Sequence, residues 1–246
     1  MPIQAQLFIT CLAEQFYPGT LENMVRLLER LDIGVEVPAA QTCCGQPLFN
    51  SGYQGEARRL AASWLKTFGA SRVPIVSPSG SCVDMVRHHY PELFPEGAPE
   101  HGLARDLAAR TFEFSEFLVH RLQVADVGAH FPHRVTYHPS CHLLRGLGLR
   151  REAKQLLSAV RGIELVPLRD EETCCGFGGV FSVIYPAVSQ AMMEAKVRNI
   201  LATGAEAVVA CDAGCLMNIS GGLRRAGAPV KALHLIDVLA SQDGAL

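Results

Sequence analysis

Nine cysteines stand at positions 11, 43, 44, 82, 141, 174, 175, 211 and 215 of this 246-residue chain. With Cys211 set aside, the other eight form two quartets, C-x31-C-C-x37-C and C-x32-C-C-x39-C. Four thiolates suit two chemistries. A [4Fe–4S] cluster takes four ligands, commonly all cysteine. A structural zinc site also takes four, usually from paired C-x2-4-C knuckles in which a tight turn gives both sulfurs to one ion. Neither quartet has a knuckle. Neighbouring residues point apart, so Cys43-Cys44 and Cys174-Cys175 reach different iron atoms of a cluster more readily than they clamp one zinc. Zinc and redox-active thiols stay open as alternatives. A vicinal disulfide would be strained, and a single cysteine could be a small buried hydrophobe. The repeated spacing argues against that last reading for the set.

The surroundings repeat as well. Cys43-Cys44-Gly45 answers Cys174-Cys175-Gly176, and Val35-Glu36-Val37-Pro38 resembles Glu164-Leu165-Val166-Pro167. Ile75-Val76-Ser77 before Cys82 resembles Val208-Val209-Ala210 before Cys215. Gly45, Gly176, Gly178 and Gly179 are candidates for close backbone approach to a cluster, with N–H groups donated to its sulfurs; a turn needing positive φ explains them equally. Three residues before the last cysteine of each quartet stand Ser79 and Asp212. Both types cap helices well, and an oxygen ligand is the alternative. Cys211 is read as a thiol outside the ligand sets. His138 and His142 flank Cys141 and could tune a cluster or relay protons, against the plainer reading of hydrogen-bonded, partly buried side chains. Arg145, Arg150 and Arg151 could bind a carboxylate, against a solvated default, and Asp170-Glu171-Glu172 reads as a solvated loop. Gly146-Leu147-Gly148 lacks the third glycine and the acidic residue of a dinucleotide fingerprint.

Strand and helix signals alternate in both halves and carry these residues. In the first, Gln6–Thr10 reads as a strand ending at Cys11, and 20–31 as a helix with Thr20 as N-cap. Ile33–Val37 is a strand towards Cys43, 54–68 a helix, Val73–Val76 a strand towards Cys82, and a helix follows from Val83. The second half repeats the order. Its strands are 135–137, 163–166 and 207–210, and its helices 151–160, 186–202 and 216–225. Strands alternating with helices imply βαβ crossovers and a parallel sheet. All strand C-termini then share one edge, where the cysteines of each quartet can converge beside helix N-termini that favour an anionic group. The fold expected is α/β, with two pseudo-symmetric halves, each a small parallel sheet, joined by a helical linker. Residues 103–122 read as that linker helix, broken near Ser115, and Gly128–Pro132 as the boundary. The domains are then 1–130, including the linker, and 131–246. Glu116-Phe117-Leu118 and Asp237-Val238-Leu239 suggest that both halves close alike.

Lys plus Arg is 22 and Asp plus Glu 24, a net charge of −2, which excludes a general nucleic-acid binder. No apolar run approaches the ~18 residues that span a bilayer. Met1–Gln15 has no basic n-region, so no signal peptide is expected and a cytoplasmic location is. Nine cysteines in a reducing compartment point to metal or redox chemistry rather than disulfides.

These motifs are familiar. Ser77-Pro78-Ser79-Gly80-Ser81-Cys82, Cys174-Cys175-Gly176-Phe177-Gly178-Gly179 and Gly214-Cys215-Leu216-Met217-Asn218-Ile219 resemble the lactate-utilisation protein A family. So do Cys43-Cys44-Gly45-Gln46-Pro47, Asn50-Ser51-Gly52-Tyr53 and Ser140-Cys141-His142. The wider resemblance is to the cysteine-rich domains of heterodisulfide reductase and of the iron–sulfur component of glycolate oxidase. It covers nearly the whole chain. It implies an iron–sulfur protein with two [4Fe–4S] clusters held by Cys11, Cys43, Cys44 and Cys82 and by Cys141, Cys174, Cys175 and Cys215. It also implies electron transfer with two partner proteins, one ferredoxin-like, in oxidation of L-lactate to pyruvate. The wider family ends each repeat with C-x-x-C; Ser79 and Asp212 replace the first of those cysteines. Five-cysteine, non-cubane clusters are therefore not expected. A thiol/disulfide redox enzyme and a zinc-stabilised binding module are the competing readings.

Overall fold

The computed structural model describes residues 4–246. Met1–Ile3, the head of the stretch read as carrying no signal peptide, lie outside the described residues. The chain divides into two compact units, one ending at Phe117 and the other running Leu118–Leu246.

The first unit opens with β1 (Gln4–Leu7), α1 (Cys11–Phe16), α2 (Pro18–Arg30) and β2 (Gly34–Glu36). Then come α3 (Gln46–Asn50), α4 (Gln54–Phe68), β3 (Ile75–Ser77) and α5 (Gly80–Asp84), which runs on into a wide helical turn at Met85–His89. The unit closes with α6 (Pro99–Ala109), β4 (Thr111–Glu113) and α7 (Phe114–Glu116). Its sheet is wholly parallel in the order β2-β1-β3-β4, with Ala5 opposite Val35, Gln6 opposite Ile75 and Ile75 opposite Thr111. α2 buries Met24, Leu27 and Leu28, and α4 buries Ala57, Ala61, Trp64, Leu65 and Phe68. Both sets follow the helical period, so each helix turns one apolar stripe inward. Trp64 centres the core: its ring stacks on Phe68 at 4.4 Å and meets Phe8 and Tyr90 edge-on at 5.3 and 5.4 Å. Edge-to-face pairing suits the ring quadrupoles.

The second unit repeats the plan. β5 (Arg134–His138) is followed by a wide turn at His142–Gly146, α8 (Glu152–Ser158), β6 (Glu164–Val166), α9 (Phe181–Ile184) and α10 (Pro186–Ala202). β7 (Ala207–Ala210), α11 (Ala213–Arg225), β8 (Lys231–His234) and α12 (Leu235–Ala240) complete it. The parallel order is β6-β5-β7-β8, with Val135 opposite Leu165 and Ala207, and Val208 opposite Ala232. β5 and β7 are almost wholly buried, as strands covered on both faces must be. No helix among the described residues is long and apolar enough to cross a membrane.

The α/β class and the two parallel halves are as expected. Two local expectations are corrected, and one strand is added. The helix expected over 103–122 is cut by β4, because Thr111-Phe112-Glu113 pairs with Ile75-Val76-Ser77 and so completes the sheet. β8 plays the same part in the second unit and was not anticipated. α2 begins at Pro18 rather than after Thr20; proline is pre-set for the first helical position, and Thr20 is buried within the first turn.

Candidate metal centres

In each sheet the strand order reverses direction between the first and third strands in sequence, β1 and β3 or β5 and β7. Crevices at the strand C-termini form at such switch points. The cysteines sit there: Cys11 opens α1 after β1, Cys43 and Cys44 lie in the loop after β2, and Cys82 lies in α5 after β3. Cys141, Cys174-Cys175 and Cys215 take the same places after β5, β6 and β7.

The side chains meet. The Cys11 thiol donates to Cys43 Sγ at 3.7 Å, and the Cys44 thiol to Cys82 Sγ at 3.5 Å. Cys175 donates to Cys215 Sγ at 3.3 Å, and Cys141 is hydrogen-bonded to Cys174. Adjacent cysteines thus turn towards different partners. Burial repeats too: Cys44, Cys82, Cys175 and Cys215 are buried, whereas Cys11, Cys43, Cys141 and Cys174 are not. The four buried thiols also belong to the hydrophobic clusters around Trp64 and Ile219, so the small-hydrophobe role is real for them. No disulfide joins any cysteine among the described residues. Beside Cys11 and Cys43 a cleft of about 300 Å³ opens, lined also by Glu14, Val37 and Gln41.

Each cysteine pair is set by its glycine. Gly45 has φ +81° and its N–H points at Cys43 Sγ at 3.5 Å; Gly176 has φ +86° and points at Cys174 Sγ at 3.4 Å. Only glycine reaches this conformation without cost. Gly178 and Gly179, also at positive φ, form the turn into α9: Phe181 N–H donates to the Gly178 carbonyl and Ser182 N–H to that of Gly179. Two anchors were not read from the sequence. Tyr90 Oη donates to the Cys44 carbonyl at 3.0 Å, and Asn218 Nδ2 to the Cys175 carbonyl at 2.8 Å. Gln41 ties the first loop to the end of β1, accepting from Ile9 N–H and donating to the Leu7 carbonyl.

The protons in each quartet are held unequally. Hydrogen bonds from Cys11 and Cys44 hold Cys43 well below the ordinary thiol range, with Gly45 N–H adding to them. Cys174 is lowered likewise by Cys141, Cys175 and Gly176. Cys11 and Cys141 are pushed up by the same bonds and then by burial. Cys44 and Cys175 rise through bonds to both sulfur neighbours, with burial third. At Cys215 the bond from Cys175 lowers, but burial and the charges of Asp212 and Cys174 outweigh it. Metal ligation needs thiolates, and each quartet has one sulfur ready to lose its proton first. Converging thiols, two buried and two reachable in each unit, form a donor set that could hold a metal group.

Ser79 caps α5, accepting from Cys82 N–H at 3.4 Å, and Asp212 caps α11, accepting from Gly214 N–H at 3.1 Å. Cys211 is fully buried, with Sγ 3.6 Å from Tyr137 Oη. Arg145 donates to the Glu172 carbonyl, Arg150 pairs with the Glu172 carboxylate and Lys154 with Glu171. The acidic loop is therefore tethered rather than merely solvated. His142 is half-buried on the turn after Cys141. His138 is fully buried, and neither ring nitrogen has a hydrogen-bond partner. Its nitrogen and the Sγ atoms of Cys175 and Cys215 lie within 4.8 Å of one another. Burial first, and then the nearby Lys196 ammonium, bring its imidazole down to about 3, with the Cys174 sulfur opposing them.

Comparison with known proteins agrees with this duplication. The family model described as a CCG cysteine-rich domain matches the chain twice, over residues 5–87 and 135–220. The chain is 45% identical over 241 residues to lactate utilization protein A of Halalkalibacterium halodurans, covering 98% of each chain. It is 47% identical over 234 residues to the protein of that name from an Exiguobacterium species, covering 95% of each. The crystal structure of a hypothetical protein from Helicobacter pylori shares the fold at a TM-score of 0.68 and 10% identity. That match covers 97% of this chain, which spans about half the length of that protein (48%).

Proposed function

Since the chain belongs to the lactate utilization protein A family of CCG cysteine-rich proteins, we propose that it is an iron–sulfur electron-transfer component of a multi-protein assembly oxidising L-lactate to pyruvate. Cys11, Cys43, Cys44 and Cys82 would hold one [4Fe–4S] cluster, and Cys141, Cys174, Cys175 and Cys215 another. Such clusters accept and release single electrons. The chain's own part is to gather the thiols at the switch point, to aim Gly45 and Gly176 N–H groups at sulfur, and to keep two ligands of each set near solvent. In this reading the partner proteins, one ferredoxin-like, exchange electrons through that open side. The observation that carries it is that cysteines distant in sequence meet at matching places in two sheets, Cys11 with Cys43 and Cys44 with Cys82 in one, Cys141 with Cys174 and Cys175 with Cys215 in the other.

The test is anaerobic purification with metal and sulfide analysis. We expect brown protein with about eight irons and eight labile sulfides per chain, four of each per cluster. Cys82→Ser and Cys215→Ser should each remove about half. Colourless anaerobic protein carrying about two zinc ions instead would overturn the reading in favour of a zinc-stabilised module. A second reading, thiol/disulfide redox chemistry, draws on the cleft beside Cys11 and Cys43. Turnover of a small disulfide by the purified chain would support it.

A further inference from the structure

The two centres are not copies of each other. Phe8 and His138 are each the third residue before the first cysteine of their quartet. Trp64 and Lys196 are each the eleventh residue after the tyrosine that precedes the long helix, Tyr53 for α4 and Tyr185 for α10. The close contacts confirm the correspondence: Gly45 faces Ala57 and Gly176 faces Ser189, each the fourth residue after those tyrosines. The first unit thus fills this place with a packed aromatic pair, Phe8 against Trp64. The second fills it with His138 and Lys196, both fully buried.

Lys196 is accounted for, since its Nζ donates to the carbonyls of Asp170 and Glu171 at 3.0 Å each. His138 is not. A buried polar ring without partners is costly, and the first unit shows that phenylalanine serves at the same position. The nitrogen does lie beside Cys175 and Cys215. We propose that His138 is a nitrogen ligand of the metal centre in the second unit, taking the fourth position in place of Cys141 or Cys174, so that one centre is bound by four thiolates and the other by three thiolates and an imidazole. This rests on the iron–sulfur reading above and deepens it. Among the described residues only this group of His, Cys, Asp and Glu side chains brings three donors within 4.8 Å, and the imidazole is one of them.

The experiment uses the full chain, made anaerobically with 15N-histidine and carrying Cys82→Ser to silence the first centre. Pulsed EPR of the reduced protein should show a nitrogen coupling of the strength of a directly bound imidazole, changed by the label and lost in His138→Phe. Iron-edge X-ray absorption of the same sample reads the bound ring whatever the spin state. The matching Cys215→Ser chain, which keeps the first centre, should show no such coupling. Phenylalanine is chosen because the first unit carries it; should that variant fail to fold, His138→Asn gives the same readout. Iron in the second centre with only weak nitrogen coupling and no imidazole scattering would overturn His138 ligation while leaving the iron–sulfur reading intact. Iron-free protein in every variant would overturn both.

Discussion

Glu113 ends β4, is fully buried, and caps α7. One carboxylate oxygen accepts from Ser115 N–H at 2.8 Å, from the Ser115 hydroxyl and from Glu116 N–H, while the other has no partner. Burial outweighs those bonds and lifts this acid from its ordinary 4.5 to about 7. Glu113 therefore holds its proton more tightly folded than unfolded, and its contribution to stability is lost as pH rises from about 4.5 to about 7. The full gap corresponds to roughly 3 kcal/mol. Glu113→Gln removes the ionisable group but keeps its shape, so we expect the variant to gain up to about 3 kcal/mol on the parent between pH 5 and pH 8. Urea unfolding at both values, with thiols kept reduced, checks this; an equal difference at the two pH values would refute it. His234 holds the matching post in the second unit, accepting from Ile236 N–H at 3.2 Å. Residue by residue, the eight cysteines were legible because their types and spacing repeat. His138 was legible only as a histidine near Cys141, because its meaning depends on the packing of Phe8 against Trp64 in the other unit.

Among elements, the loops bearing the cysteine pairs differ in how much room they leave. A side chain added at Gly45 would meet Ala57 O no closer than 3.5 Å, whereas one at Gly176 would come within 2.5 Å of Ser189 O on α10. Both pay for positive φ, about 1–2 kcal/mol. Only the second must also push a long helix away, adding about 1–3 kcal/mol by overpacking. We expect Gly176→Ala to be the more destabilising and to cost the second centre its metal, with Gly45→Ala largely retaining the first. Iron content and unfolding midpoints of the two variants decide it; equal losses would mean that the αL conformation alone matters. The longer helices and the first three strands of each unit could be anticipated, since α2 and α4 carry continuous apolar stripes and each strand precedes a cysteine, whereas the short α1, α3, α9 and α12 could not. Nor could β4 and β8. They are as short as the other strands, but neither leads to a cysteine of the quartets, and β4 interrupts a stretch whose apolar spacing reads as helix. What makes them strands is the open edge of β3 or β7, a partner far away in sequence.

At the scale of the whole molecule, each unit owns a sheet, a core and a complete quartet, so metal in one should stabilise that one. The chain has a single tryptophan, and it lies in the first unit's core in the same cluster as Cys44 and Cys82. Its fluorescence therefore reads the first unit, while far-UV circular dichroism reads both. A ligand that binds only the folded state adds about 3 kcal/mol at a hundredfold excess over its Kd. Cys82→Ser should accordingly lower the Trp64 fluorescence midpoint in denaturant. Cys215→Ser should leave that midpoint in place and split the dichroism curve into two steps, the earlier belonging to the second unit. A single transition is the usual behaviour of one small domain, not of a chain with two. If Cys215→Ser moved the Trp64 midpoint as far as Cys82→Ser does, the units would unfold as one body. The duplication would then describe the ancestry of the chain but not its energetics.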